Sequence, residues 1–140
     1  MARIKLSIPD SRPIFSTTVT LTVNFINYGG HMGNDAILTL CQEARIRYLK
    51  TLGFNELNYF GKSIIQADAA IVYKGEGFLG DQLSVDIYLD DLNEYGMDFF
   101  YVFKNSENQK EIARAKTGIV FFDYTLRKIS KRPTEVRLSE

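Results

Sequence analysis

The sequence contains few of the residue types that disulfides and many metal sites require. Its 140 residues include one cysteine, one histidine and no tryptophan. The lone Cys41 excludes a disulfide within the chain and a zinc site built from several thiolates. Basic and acidic residues are balanced at 17 each, which leaves no basic field to attract nucleic acid and no acidic tail.

Long apolar runs are also absent. The first residues, MARIKLSIPDSRP, have no apolar run of the length that a signal peptide or a membrane span needs, so we expect neither. Together with the single cysteine, this favours a soluble protein of the reducing cytoplasm. Because 45% of the residues are apolar, the chain can bury a sizeable core. We predict a single domain over residues 1–140, with its core at about residues 10–132.

Hydrophobic periodicity predicts one strand followed by one long helix. Residues 14–27 are rich in threonine, valine and phenylalanine, which favour a strand. Residues 28–33 form a glycine-rich turn, and the side chain of Asn34 can cap a helix. We expect this helix to have about 18 residues and to end near Gly53. Its apolar face has helical spacing and consists of Ile37, Leu40, Cys41, Ala44, Tyr48 and Leu52.

Strand patterns dominate the rest of the chain. Residues 63–73 indicate a strand, residues 82–93 alternate apolar and polar side chains, and residues 111–124 indicate a final long strand. Residues 97–104 (MDFFYVFK) are almost wholly apolar or aromatic, so both faces of that strand should be covered. The polar residues 105–109 predict a hairpin loop. We therefore expect an α+β fold in which four strands in a meander follow one helix that packs across an antiparallel sheet.

Three motifs, in this order and spacing, resemble those of the hot dog fold thioesterases. GHMGNDAILTLCQEAR is similar to the family's Gly-His-x-x-Asn turn and a helix that ends in Glu-Ala-Arg. YKGEGFLGDQLSVDIYL is similar to its tyrosine, short loop, Gly-Asp and alternating strand, and ARAKTGIVFFDYTLRK is similar to its last strand. Within the superfamily the chain resembles the 4-hydroxybenzoyl-CoA, acyl-CoA and acyl-carrier-protein thioesterases. The resemblance implies an antiparallel sheet wrapped around one long central helix.

The resemblance also implies an assembly and a reaction. It implies a homodimer, or a homotetramer formed by two dimers, with two active sites at the dimer interface. The reaction implied is hydrolysis of an acyl thioester of coenzyme A, or of acyl carrier protein, to a free acid and a thiol. The resemblance implies no metal and no cofactor besides the coenzyme A of the substrate. A shared fold does not by itself settle the activity.

The main departure from the family lies at Asn27. Many of these enzymes have an aspartate four residues before the position of His31, where it serves as base or nucleophile. An amide cannot take a proton from water or form an acyl-enzyme anhydride. Two helix carboxylates can replace it, although Asp35 can simply stabilise the helix start and Glu43 can simply pair with Arg47. We rank Glu43 above Asp35 as base, because a hot dog dimer can turn Glu43 toward the second subunit and desolvate it.

The turn before the helix holds the other candidate catalytic groups. His31 can polarise the thioester or relay a proton, and its ordinary role would be that of a turn histidine donating to a carbonyl. The resemblance assigns the oxyanion donor to the backbone N–H of Asn34, where the helix dipole favours negative charge. Gly30 and Gly33 permit close approach of the substrate, although turn geometry alone explains them. Asn27 would orient substrate or water.

Polar side chains elsewhere are candidates for substrate binding. Gln66 and Asp68 are two residues apart on one strand, hence on one face, where they line the cleft or face solvent. Arg127 and Lys128 belong to a basic cluster that can attract the phosphates of coenzyme A or merely form a solvated tail. Cys41 falls on the apolar helix face and is expected to pack in the core rather than act as a nucleophile.

The sequence thus predicts a thioester hydrolase. Water attacks the thioester carbonyl, the Asn34 N–H holds the oxyanion, and Glu43 or Asp35 acts as base. Asn27 in place of aspartate leaves a second prediction open, an acyl-thioester-binding protein without turnover. A hydratase on the same fold ranks below both, because His31 and Asp35 stand in the opposite order from the pair in that branch. The expected partners are the acyl thioester and a second copy of the chain.

Overall fold

Six strands and one α-helix form the fold in residues 2–138, the part of the chain that the computed structural model describes. In chain order the elements are β1 (Phe15–Thr20), a short 3-10 helix (Val23–Phe25), α1 (Ala36–Thr51), β2 (Ser63–Tyr73), β3 (Gln82–Asp90), β4 (Gly96–Asn105), β5 (Glu111–Asp123) and β6 (Lys128–Ser130). α1 has 16 residues, and no helix in this part of the chain is long and apolar enough to cross a membrane.

The strands form one antiparallel sheet in the order β1-β3-β4-β5-β2, and β6 pairs with the end of β5. β3, β4 and β5 make a meander, as predicted. The prediction that β2 also belongs to this meander is wrong, because β2 pairs with β5 at the far edge of the sheet. The reason lies in α1, which packs on β1, β3 and β5 and so carries the chain across the sheet from one edge to the other.

The first strand is shorter than predicted. β1 ends at Thr20 because its partner β3 begins at Gln82, and these two residues lie opposite each other. Beyond this point the chain turns inward, where Leu21 is fully buried and its carbonyl accepts from the Gly80 N–H. Residues 21–27 therefore form a loop with a short 3-10 helix, although their composition favours a strand.

The later strands lie close to their predicted positions. β2 has the predicted bounds, and β3, β4 and β5 differ from the predicted ranges only near their ends. Residues 105–109 turn between β4 and β5 as predicted, since the Asn105 carbonyl accepts from the Gln109 N–H at 2.8 Å. β6 has no counterpart in the sequence prediction. It forms a hairpin with the end of β5, through a turn in which Asp123 accepts from two backbone N–H groups.

The core lies between α1 and the inner face of the sheet. Alternate residues of the two central strands point toward α1 and are fully buried, namely Leu83, Val85 and Ile87 in β3 and Phe99, Tyr101 and Phe103 in β4. Cys41 is also buried here, which confirms its predicted packing role, and burial raises the pKa of its thiol. On the outer face Val102 is buried and Phe100 is half-buried, so β4 is largely covered on both sides, as predicted. This antiparallel sheet around one long helix confirms the predicted α+β hot dog fold.

β2 forms an open edge of the sheet. Within the described residues it pairs only with β5, and α1 packs mainly on the other strands. Residues 66–69 of β2 are therefore exposed, although they include Ala67 and Ala69. Part of one strand and the side of α1 next to it thus remain uncovered.

Candidate active site

The glycine-rich loop before α1 is held by a small set of backbone hydrogen bonds. Ile26 and Met32 form an isolated antiparallel bridge, and the Asn27 N–H donates to the His31 carbonyl at 2.9 Å. The Gly30 N–H donates to the Asn27 carbonyl at 3.0 Å. Gly30 has a φ of +84°, a left-handed conformation that glycine adopts without strain. The loop thus makes one tight turn, which is the local reason for glycine at position 30.

This turn brings the side chains of Asn27 and His31 together around Gly29. Asn27 Oδ1 accepts from the Gly29 N–H at 2.9 Å, and His31 Nδ1 lies 3.3 Å from the Met32 carbonyl oxygen. A Cβ on Gly29 would lie 3.2 Å from Asn27 Oδ1 and 3.4 Å from His31 Nε2, so both side chains flank this glycine. The carbonyl contact is the one expected for a turn histidine. With its proton on Nδ1, the imidazole donates to this carbonyl oxygen. The lone pair of Nε2 then remains free to accept another proton.

α1 begins after Asp35, so the prediction that the Asn34 side chain caps the helix is wrong. Asp35 occupies the N-cap position, and its side chain makes no capping hydrogen bond. The turn closes instead through the backbone, where the Ala36 N–H donates to the Gly33 carbonyl at 3.2 Å. In the described residues the N–H groups of Asn34 and Asp35 have no acceptor. Two donors at the positive end of the helix dipole therefore stay open to a ligand.

The carboxylate of Asp35 lies over Gly33, close to Asn27. A Cβ on Gly33 would lie 2.9 Å from Asp35 Oδ1 and 3.8 Å from Asn27 Cβ, so the missing side chain makes room for the carboxylate. Burial and, second, the negative charge of Asp35 raise the pKa of the Tyr73 hydroxyl. Of the two helix carboxylates, Asp35 is therefore the one that shares the loop with Asn27 and His31.

Tyr73 belongs to this site, although sequence patterns did not indicate it. It ends β2, and its hydroxyl donates to the Asn34 carbonyl at the start of α1. Because a trans peptide points its N–H opposite to its C=O, this contact also fixes the direction of the Asp35 N–H. The tyrosine that begins the YKGEG motif is visible in the sequence, but nothing in the sequence links it to the loop. Its contact, however, joins residues 39 positions apart, and only the sheet topology reveals it.

Glu43 lies further along the helix, away from the loop. It follows Asp35 by eight residues, which corresponds to about 12 Å along the helix axis. Its side chain is 48% exposed and accepts from Arg47 Nε at 2.7 Å. Arg47 also donates to Thr17 and Thr18 of β1. Within one chain Glu43 is thus part of a helix-surface ion pair and does not reach the loop.

Gln66 and Asp68 lie on opposite faces of the sheet, so the prediction that they share one face is wrong. β2 carries a bulge between them, which places Gln66 opposite Ile119 and Asp68 opposite Gly118 of β5. Neighbouring residues of β5 point to opposite faces, and so do their partners. Gln66 therefore faces α1, whereas Asp68 lies on the outer face of the sheet.

Asp68 takes part in a charge cluster on that outer face. Its Oδ1 accepts from Lys116 Nζ at 2.8 Å and from the Gly118 N–H at 3.0 Å. The hydrogen bond from Lys116 is the main cause that lowers the pKa of Asp68. Asp98 lies 3.6 Å from the same ammonium group, yet burial raises its pKa. Among the described residues, no three or more His, Cys, Asp or Glu side chains are grouped so that they could hold a metal ion.

Arg127 and Lys128 lie at the opposite end of the sheet from the loop. Lys128 pairs with Asp123 at the end of β5, and this part of β5 pairs with the start of β2. The loop contacts the other end of β2, at Tyr73. The two ends are about ten residues apart, roughly 30 Å along the strand. Within one chain, therefore, the structure does not bring this basic pair to the loop.

Four kinds of group meet at the start of α1: open backbone N–H groups, a carboxylate, an imidazole and a side-chain amide. The N–H groups of Asn34 and Asp35 can hold an oxygen that gains negative charge. The Asp35 carboxylate and His31 Nε2 can accept and return a proton. Asn27 can orient a polar ligand through its Nδ2. This combination suits the attack of water on an activated carbonyl group.

Several solved structures share this fold. Slr0204, a 1,4-dihydroxy-2-naphthoyl-CoA thioesterase from Synechocystis, is 20% identical with a TM-score of 0.78, over 85% of this chain and 89% of that one. The Staphylococcus aureus protein SAV2348, solved in complex with CoA, is 19% identical with a TM-score of 0.77, over 91% of this chain and 81% of that one. BH1999, a gentisyl-coenzyme A thioesterase, is 16% identical with a TM-score of 0.77, over 89% of this chain and 100% of that one.

Sequence comparison identifies the family. No curated protein matches the chain. The family profile described as the Thioesterase-like superfamily matches residues 21–138, which is most of the chain. At their low identities, the structural likenesses establish the fold. The chain belongs to the Thioesterase-like superfamily and has the hot dog fold of its thioesterases.

Proposed function

We propose that this protein is a thioesterase that hydrolyses an acyl thioester of coenzyme A, or of acyl carrier protein, to a free acid and a thiol. The observation that carries the proposal is the pair of open N–H groups at Asn34 and Asp35, with the Asp35 carboxylate in the same loop. Membership of the Thioesterase-like superfamily supports the reaction class. The CoA thioesterases Slr0204 and BH1999 support the kind of substrate.

In this proposal each group of the loop has one role in the reaction. The water oxygen attacks the thioester carbon while Asp35 accepts a proton from the water. The carbonyl oxygen becomes an oxyanion, which the Asn34 N–H holds and the helix dipole stabilises. When the tetrahedral intermediate collapses, the carbon–sulfur bond breaks and the leaving thiolate takes the proton back from Asp35. His31 and Asn27 orient the water and the substrate.

We also propose that two copies join along the open edge of β2. An exposed edge strand presents unpaired N–H and C=O groups, which makes it a template for another chain. Antiparallel pairing about a twofold axis brings the start of β2 in one copy to the end of β2 in the other. Arg127 and Lys128 of the second copy then come to the end of the joined sheet where Tyr73 and the loop lie. There they can attract the phosphates of coenzyme A. A dimer of dimers stays a prediction.

Thiol release from a panel of acyl-CoAs tests the hydrolytic function, with Asp35→Asn and Glu43→Gln as a matched pair. Each variant replaces a helix carboxylate by the isosteric amide. A general base contributes about 10²–10⁴-fold, so we expect Asp35→Asn to lower turnover by roughly that factor and Glu43→Gln by less than about threefold. The reverse result would move the base to Glu43. No release from any thioester by the wild-type protein would overturn the proposal.

A second candidate is an acyl-thioester-binding protein without turnover. Asn27 stands where many family members have an aspartate, and its Oδ1 already accepts from the Gly29 N–H. An amide held in this way can orient a ligand, but it does not take a proton from water. This candidate predicts tight binding of an acyl-CoA without release of thiol.

A further inference from the structure

The segment between β2 and β3, residues 75–81, is anchored beside the loop of the candidate site. The Leu21 N–H donates to the Asp81 carbonyl at 2.8 Å, and the Leu21 carbonyl accepts from the Gly80 N–H at 2.8 Å. Leu21 is fully buried, so both hydrogen bonds tie the segment to a fixed point of the core. The end of the segment therefore cannot move away from Leu21 without breaking them.

A third hydrogen bond joins this segment to the peptide unit between His31 and Met32. The Met32 N–H donates to the Gly77 carbonyl at 2.7 Å, and the carbonyl of the same peptide unit accepts from the Asn27 N–H at 2.9 Å. Because a peptide unit is planar, these two hydrogen bonds on its opposite sides fix its orientation. The Cα of His31 lies in the same plane, so they also fix the point from which the imidazole extends.

Position 77 has room for glycine only. Gly77 is buried between exposed neighbours, and its backbone is not left-handed, so the need for glycine is one of space. A Cβ there would lie 2.6 Å from Leu21 Cδ1 and 3.5 Å from Met32 Cβ. The first distance is well below the optimal separation of two carbon atoms, about 3.5–4.0 Å. Because Leu21 is packed in the core, a side chain at position 77 would push the Gly77 carbonyl away from the Met32 N–H.

The orientation of this peptide unit matters for the proton on the imidazole. His31 Nδ1 lies 3.3 Å from the Met32 carbonyl oxygen, and a carbonyl only accepts, so Nδ1 carries the proton in this contact. Nε2, which lies beside Gly29, is then an acceptor. A water molecule that donates to Nε2 keeps an oxygen lone pair free to attack the thioester carbon. With the proton on Nε2, the imidazole would donate to the water oxygen and occupy that lone pair.

We propose that Gly77 is a positioning residue for His31. Its carbonyl holds the peptide unit between His31 and Met32 so that Nδ1 donates to the Met32 carbonyl and Nε2 accepts from the attacking water. In this role Gly77 acts through His31 and not on the substrate. The effect on catalysis rests on the thioesterase function proposed above, whereas the positioning of the imidazole does not depend on it.

Nitrogen-15 NMR of the neutral imidazole tests the positioning directly. The chain has one histidine, so the spectrum contains one imidazole, and the shifts of its two nitrogens report which of them carries the proton. The wild-type protein is compared with Gly77→Ala and with Leu79→Ala, the matched control, because Leu79 is an exposed residue of the same segment. The double variant Leu21→Val/Gly77→Ala tests the steric cause, since valine has no Cδ1 to meet the new Cβ.

We expect the Nδ1–H form to predominate in the wild-type protein and the control, a mixture of both forms in Gly77→Ala, and recovery of the Nδ1–H form in the double variant. A wild-type spectrum dominated by the Nε2–H form, no change in Gly77→Ala, or no recovery in the double variant would each overturn the inference. Amide hydrogen exchange of the wild-type protein decides the matter if Gly77→Ala does not fold. The Met32 N–H should be protected at least about tenfold more than the Asn34 N–H, which has no acceptor among the described residues, and equal protection would overturn the inference.

Steady-state thiol release separates action through His31 from a merely structural role. Gly77→Ala should lower kcat about tenfold with KM nearly unchanged, and the same substitution in a His31→Ala background should lower kcat less than about twofold. An equal loss in both backgrounds would contradict action through His31. Hydrolysis by the wild-type protein with an undiminished kcat in Gly77→Ala would contradict this inference and leave the thioesterase function intact. The expected NMR spectra without any hydrolysis would contradict the thioesterase function and leave the positioning of His31 intact.

Discussion

Replacing Arg45 with methionine should unfold the protein at a markedly lower urea concentration. The substitution keeps most of the side-chain volume, but it leaves Glu56 without its cation and removes the donor shared by Tyr101 and Thr117. Breaking a buried ion pair by removing one partner costs about 3–5 kcal/mol. The Glu56 side chain is 24% exposed, so water offsets part of the loss. We therefore expect the free energy of unfolding to fall by about 3 kcal/mol, the lower end of this range.

Arg47→Met is the matched control on the same helix. Arg47 is 40% exposed, pairs with Glu43 and donates to Thr17 and Thr18, so its loss should cost about 1–2 kcal/mol, less than the loss of Arg45. Urea unfolding followed by circular dichroism, at one fixed protein concentration, measures both differences. Adding Glu56→Gln to Arg45→Met should recover part of the loss, because no unpaired carboxylate remains. A loss for Arg45→Met no larger than that for Arg47→Met would refute the reasoning.

Two further predictions concern Tyr73 and the charge cluster on the outer face. Tyr73→Phe removes the hydroxyl that holds the Asn34 carbonyl, so kcat for thiol release should fall about tenfold with KM nearly unchanged; an unchanged kcat would remove Tyr73 from the site. The pKa of Asp68 is lowered in the folded protein, so its stabilisation is present above its unfolded pKa, and the destabilising effect of Asp68→Asn should vanish as the pH falls through the folded pKa. The pKa of Asp98 is raised by burial, so the wild-type carboxyl stabilises the fold at low pH and loses this effect as the pH rises through the folded pKa. Asp98→Asn keeps a neutral side chain, so it should change stability little at acidic pH and stabilise the fold relative to the wild type as the pH rises through the folded pKa; urea unfolding that gives both variants the same pH dependence would contradict this assignment.

Strand β2 shows which features of this fold can be predicted from sequence patterns and which cannot. Its bounds, Ser63 and Tyr73, follow from the run of apolar residues between them. Neither its position at the far edge nor the bulge between Gln66 and Asp68 is visible in the sequence, since both depend on pairing with β5. One extra residue in a strand reverses the faces of all later side chains. Two residues with the spacing of a shared face therefore lie on opposite faces.

The groups in the loop of the candidate site can be predicted from the sequence because they are close together along the chain. Asn27, His31 and Asp35 lie around Gly29 and Gly33, and local turn chemistry is enough to bring them together. Tyr73 reaches the same loop only because β2 ends beside the helix start. The ranking of Glu43 above Asp35 as the base requires a second subunit next to α1. Within one chain, its pair with Arg47 holds it on the helix surface.

The most direct test of the proposed function is steady-state thiol release by the wild-type protein, from an acyl-CoA that calorimetry shows to bind. We predict release that is saturable in substrate, proportional to the protein concentration and reduced about 10²–10⁴-fold in Asp35→Asn. Tight binding of the acyl-CoA with no release above the uncatalysed rate would contradict the proposed function. That result would indicate that a protein with Asn27 at this position binds acyl thioesters without hydrolysing them.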